Sequence, residues 1–283
     1  MGRGLEVVTS QVTAPGAVLT AAVANAGNSL QIRSADVKSK VLLLETWAFN
    51  QVGGTLRIRS PRLHDNVNGI RTRIPATSVL PKYPGVISGG FGQFLIPQDT
   101  LIVEQSGSGV GGQIELNSML IYYDSLPGVA ARLIDYPTLM RAGINVATVE
   151  ASITTVITGQ YGGALALNAA ANNQNLKANT DYALVGGIVD TRCATVRVLG
   201  VDFGNLGVGF PGEPSVQDLL TAFFVNMSLS LSLPLIPVFN SANAGSTTID
   251  IATNQAGGTM IVDLFCVELA PNTIPPAISG PGV

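Results

Sequence analysis

The chain has 283 residues, of which 46% are apolar and only 12% charged, with a formal net charge of −3 and a mean hydropathy of +0.38. That length suits two domains of ordinary size, and so apolar a composition predicts an exterior largely covered by partners. A membrane-spanning helix is not expected: the most apolar stretch, Leu219 to Pro237, is interrupted by Asn226, Ser228, Ser230, Ser232 and Pro234 and reads as strand and loop.

Taken in chain order, the amino terminus Met1-Gly2-Arg3-Gly4-Leu5-Glu6 lacks the apolar stretch of a secretory signal, which predicts synthesis in a cytoplasm. Val41 to Phe49, Thr55 to Ile58, Leu101 to Glu104 and Gln113 to Tyr123 have the β-branched, aromatic and apolar texture of strands. Asn68-Gly69, Ser106-Gly107 and Gly111-Gly112 separate them with the positive-φ chemistry of tight antiparallel turns, and Gly162-Gly163, Gly204-Asn205 and Gly257-Gly258 do the same further on. Only two short stretches suggest helix, Ala130 to Arg141 and Ser215 to Phe223 after Pro214. From Pro271 to Val283 the chain is too rich in Pro and Gly for core structure and reads as a tail or arm.

An internal repeat organises these elements. Gly53-Gly54-Thr55-Leu56-Arg57-Ile58 aligns at an offset of 140 with Cys193-Ala194-Thr195-Val196-Arg197-Val198, so that Thr and Arg recur in place. At the same offset Val41 to Leu44 falls on Asp181 to Leu184, and Leu95-Ile96-Pro97 on Leu235-Ile236-Pro237. Gly111 to Leu116 meets Gly257 to Val262 at an offset of 146, whereas the first 35 residues of each half align poorly. Many short strands with turn signals between them predict an all-β chain of two tandem antiparallel jelly-roll or β-sandwich modules related by internal duplication. The expected boundaries are module one at 1–135, a linker at 136–145, module two at 146–270 and the tail at 271–283.

Residues for catalysis are sparse. His64 is the only histidine and stands in a loop, and no Gly-x-Ser-x-Gly elbow accompanies it. Cys193 and Cys266 lie 73 residues apart, match no metal or redox spacing, and read as small apolar side chains, with a bond between them left open. The Gly-rich stretch Gly200 to Gly212 is followed by no Gly-Lys-Ser or Gly-Lys-Thr, and Asp202 has no acidic companion near it in sequence. The expectation is a protein that is not an enzyme and uses no cofactor or metal.

Charge is divided unevenly. Residues 1–140 carry 11 basic and 9 acidic groups, whereas residues 141–283 carry 4 and 9. The excess of positive charge is concentrated in Arg57, Arg59, Arg62, Arg71 and Arg73, with the i, i+2 spacing that places each close pair on one strand face. Such a cluster can meet nucleic acid phosphates or acidic patches of a neighbouring subunit. The acidic chain, pI 5.1, the lack of interleaved aromatics and the negative second half favour the subunit.

Two tandem β-modules of about 140 residues, poor in lysine and histidine and followed by a Pro-Gly tail, resemble the organisation of double jelly-roll major capsid proteins of icosahedral viruses. The resemblance covers nearly the whole chain, is carried by no single motif and transfers no functional residue. It implies a virion protein that assembles with copies of itself and with other virion proteins. Other readings are a virus decoration or spike protein, a subunit of an extracellular filament or tube, and a carbohydrate-binding β-sandwich pair. For the last, Trp47, Tyr83, Tyr122, Tyr123, Tyr136 and Tyr161 are too dispersed to form a sugar platform, and Trp47 lies in an apolar strand that predicts a core position.

Overall fold

The computed structural model describes residues 2–33, 39–49, 53–62, 67–74, 79, 83–84, 92–107, 114–154, 159–170, 176–254 and 258–274. The first half contains β1 (Gly2–Thr13), β2 (Thr20–Ala21), β3 (Val23–Ala24), β4 (Val41–Phe49), β5 (Gly54–Arg59), β6 (Ile70–Ile74), β7 (Tyr83–Pro84), β8 (Gln93–Leu95), β9 (Ile102–Ser106) and β10 (Ile114–Leu126). A short strand, β11 (Leu133–Ile134), and the helix α1 (Tyr136–Ala142) lead into β12 (Gly143–Thr154), β13 (Tyr161–Ala166), β14 (Asp181–Val189), β15 (Cys193–Leu199) and β16 (Gly207–Gly212). The helices α2 (Gln217–Leu220) and α3 (Phe223–Leu231) precede β17 (Ile236–Asn240), β18 (Thr248–Ala252) and β19 (Thr259–Leu269).

Strand order reveals the architecture. In the first half β1-β10-β4-β8 form one sheet and β2-β9-β5-β6 the other. In the second half β12-β19-β14-β17 and β13-β18-β15-β16 repeat that order strand for strand. Apart from the hairpins β5-β6 and β15-β16, successive strands of these orders switch between two antiparallel sheets, with the first strand beside the last, which is the jelly roll. The chain is all-β, two tandem jelly rolls related by internal duplication.

The bulges extend the repeat beyond what sequence shows. Leu44 in β4 is passed over in its pairing with β10, and Val185 in β14 is passed over in its pairing with β19. These two positions are 141 residues apart. In the opposite sheet Arg57 faces Glu104 as Arg197 faces Asp250, which keeps the offset of 140 read from the Thr55 and Arg57 block. The sequence alignment of Val41 to Leu44 is therefore one residue short, and that of Gly111 to Leu116 with Gly257 to Val262 is one residue long. The Leu95 block is corrected by more: Leu95 of β8 faces Val41, whereas Phe239 of β17 faces Tyr182, the equivalent of Val41. The amino-terminal strands β1 and β12, which share no visible sequence pattern, pair alike with β10 and β19.

Two helical expectations are redrawn. Asp135 accepts the Thr138 N–H at 2.9 Å and caps α1, so the helix begins after Leu133–Ile134, which pair with β17 of the second module. The stretch Leu219 to Pro237 is not strand and loop: Phe223–Leu231 is helical, and only Ile236 begins a strand. There Phe223, Phe224 and Met227 are buried, and the Ser228 hydroxyl donates to the Leu233 carbonyl at 2.6 Å, so packing outweighs the weak propensity of the serines.

Candidate functional site

The first surface of interest is already covered. The outer face of β1, β10 and β4 in module one lies on the outer face of β13, β15 and β16 in module two. Trp47 is fully buried there and donates its indole N–H to the Ala194 carbonyl at 2.9 Å and to the Thr195 hydroxyl at 3.0 Å. Ser118 meets the same hydroxyl at 2.6 Å, and Thr9 joins Ser118 at 2.8 Å and the Tyr161 hydroxyl at 2.5 Å. A Cβ placed on Gly209 would come within 2.8 Å of Val7, so glycine there lets the two sheets touch. On the same face the Arg197 guanidinium grips Asp250 through two bonds of 2.9 and 2.5 Å and stacks on Tyr161, 3.6 Å from the ring centroid.

The equivalent face of module one holds the sequence-predicted arginines. Arg57 on β5 is a direct neighbour of Arg71 on β6, and Thr55 of Arg73. Arg57 and Arg59 both bind Glu104 on β9, with Nε to Oε2 distances of 2.5 and 2.9 Å. The bond from Arg57 is the main cause that holds the Glu104 carboxyl down at about 2, against the desolvation that acts to raise it. Arg71 and Arg73 are exposed, with Arg73 at 3.4 Å from the Thr55 hydroxyl. Arg62 lies past the end of β5 in an exposed bend. Four guanidinium groups, those of Arg57, Arg59, Arg71 and Arg73, thus share a face with one carboxylate among the described residues. Sequence reasoning missed Glu104, although Asp250 stands 146 residues after it, at the offset of the Gly111 and Gly257 block.

The outer face of β12 and β19 in module two has the opposite charge among the described residues. Glu150 on β12 and Asp263 on β19 are a directly opposed cross-strand pair, with Ile188 of β14 in the same row. Partial burial raises the Asp263 pKa, and the nearby charges of Glu150 and Asp190 add to it. Around them Val146 is 74% and Ile261 41% exposed, on strands whose alternate residues fill the core. No sequence pattern marked this pair, because the two residues are brought together only by the β12 to β19 register.

Both cysteines are free and buried; burial pushes the Cys193 thiol well up and the Cys266 thiol up to about 12. His64 lies outside the described residues, as do residues 275–283 of the tail. An open polar cleft of about 560 Å³ is lined by Arg132, Asp181, Asp202 and Asn240, where Arg132 binds Asp181 at 2.6 Å and Asp202 at 3.4 Å. Among the described residues no group of three or more His, Cys, Asp or Glu is placed to hold a metal ion, and no helix is long and apolar enough to cross a membrane.

No family model matches the sequence, and no curated protein does. Among solved structures, the chain is similar to the PBSX exported protein XepA at 12% identity and a TM-score of 0.23, covering 93% of this chain and 86% of that one. It is also similar to a chain in the atomic structure of Sulfolobus turreted icosahedral virus, at 9% identity and a TM-score of 0.20, covering 96% and 92%. Superpositions this loose carry no functional argument; the strand order, the contact between the modules and the two oppositely charged faces do.

Proposed function

We propose that this chain is a structural, self-assembling subunit of a virus shell, a capsid protein of the major type, and not an enzyme. The observation that carries the reading is the contact between the modules. One jelly roll binds a diverged copy of itself through two unlike sheet faces, Trp47 and Ser118 on one and Thr195 on the other, while among the described residues the counterparts of both faces carry exposed side chains, Arg71 and Arg73 on one and Val146 and Ile261 on the other. A module that docks head to tail on its own duplicate suits a particle built of many such modules. Chains of this kind bury their apolar exterior in permanent contacts, which accounts for a composition with 12% charge. Its site of action is then the virion after synthesis in the host cytoplasm, and its partners are copies of itself and other virion proteins.

A filament or tube is the second reading, because a head-to-tail contact whose rotation does not close propagates without end. Light scattering followed by negative-stain microscopy of the purified protein tests both. Closed particles or capsomer rings are the expected result, and open tubes would favour the filament. A stable, monodisperse monomer at micromolar concentration would overturn the assembly reading and favour a binding module.

A further inference from the structure

We propose that the arginine face of module one receives the β12 and β19 face of module two from a second copy of this chain, in the head-to-tail mode that the two modules use within the chain. This rests on the self-assembly reading and names the surfaces through which assembly runs.

Strand correspondence supplies the geometry. Within the chain the row Thr9, Ser118 and Trp47 lies over Thr195. The duplicate of that row in module two is Glu150, Asp263 and Ile188, and the duplicate of Thr195 in module one is Thr55. Repeated between copies, the contact brings Asp263 to Thr55, between Arg57 two residues along the strand and Arg73 directly across from it. Val7, which touches Gly209, has Thr148 as its duplicate, and Gly209 has Arg71. The helices pack against β14, where a Cβ on Gly186 would strike the Leu220 carbonyl, so β12 and β19 form the open part of the sheet.

Charge identifies the occupant. Carboxylates directly opposite each other weaken a sheet, and Glu150 with Asp263 breaks that rule with Asp190 also nearby and no cationic partner among the described residues. The opposite face breaks the complementary rule, with Arg57 directly beside Arg71 and, among the described residues, one carboxylate for four guanidinium groups. Each face carries the charge that the other lacks, and complementary potentials fix register and partner. Val146 and Ile261 add exposed apolar area beside the carboxylates.

The test is charge reversal on each side and then on both. Arg71→Glu with Arg73→Glu is expected to raise the protein concentration needed for assembly by about tenfold or more, and Glu150→Arg with Asp263→Arg to do the same, each variant keeping the wild-type far-ultraviolet circular dichroism. The fourfold variant, with both faces reversed in one chain, should regain assembly, as should an equimolar mixture of the two double variants. Assembly of both double variants at the wild-type concentration overturns this contact while leaving self-assembly intact. Folded double variants that fail to assemble, with no rescue in the fourfold chain or the mixture, overturn the pairing of these two faces. A wild-type chain that is monomeric at every concentration overturns the self-assembly reading itself.

Discussion

Trp47 of the first jelly roll donates its indole N–H to the Ala194 carbonyl of the second at 2.9 Å, across a chain separation of 147 residues. Its ring also meets Phe223 edge to face at 6.0 Å, so one side chain ties together β4, β15 and α3. Trp47→Ala is expected to destabilise the chain by about 3 to 5 kcal/mol through the cavity it leaves. Trp47→Phe should cost less, about 1 to 3 kcal/mol, chiefly by removing the indole donor from the buried Ala194 carbonyl, since the Thr195 hydroxyl keeps Ser118. Urea unfolding followed by circular dichroism checks both, and a Trp47→Ala variant as stable as the wild type would show that the modules do not depend on this contact.

Glu104 makes acid sensitivity a property of module one. Its pKa lies at about 2 in the folded chain against 4.5 for an ordinary glutamate. A carboxyl depressed by folding contributes stability that is complete above its unfolded value and lost as pH falls toward the folded one. Stability should therefore decline between about pH 4.5 and pH 2, and Glu104→Gln should be less stable at neutral pH but flatter across that interval. Parallel acid slopes for the variant and the wild type would show that Glu104 is not the group responsible.

Arg57→Glu with Arg59→Glu reverses charges that already have a partner. Glu104 would then sit among two further carboxylates at a position where its own side chain is 9% exposed. A loss on the order of 3 kcal/mol is expected from stranding that charge, visible as a lower urea midpoint at neutral pH. Arg71 and Arg73, which are exposed, should change the midpoint little when replaced, and equal effects of the two pairs would contradict the placement of Glu104.

Cys193 and Cys266 should be silent to thiol reagents in the native chain, because burial disfavours the thiolate at both. Titration with a chromogenic disulfide is expected to detect no thiol in buffer and both thiols in guanidinium chloride. Rapid reaction of either in buffer would mean that the surrounding sheet opens far more readily than its packing implies.

The all-β class, the turns and the duplication were legible in the sequence, because each is written in local chemistry: β-branched runs, Gly-Gly and Asn-Gly breaks, and a Thr and Arg recurring on strands where the two modules share their in-and-out alternation. The alignment of Val41 to Leu44 missed by one residue for a physical reason. Both faces of β4 are buried, one in its own core and one against the second module, so the alternation that fixes a strand's facing is absent there. Antiparallel pairing cannot supply it either, since a shift along one strand is matched by an opposite shift along its partner; the bulges at Leu44 and Val185 decided the register. Composition by itself gave the expectation of an exterior covered by partners. Which sheet covers which, and which carboxylates end up beside one another on the open face, depends on contacts between residues more than 100 positions apart, and only the packed pair of jelly rolls decides them.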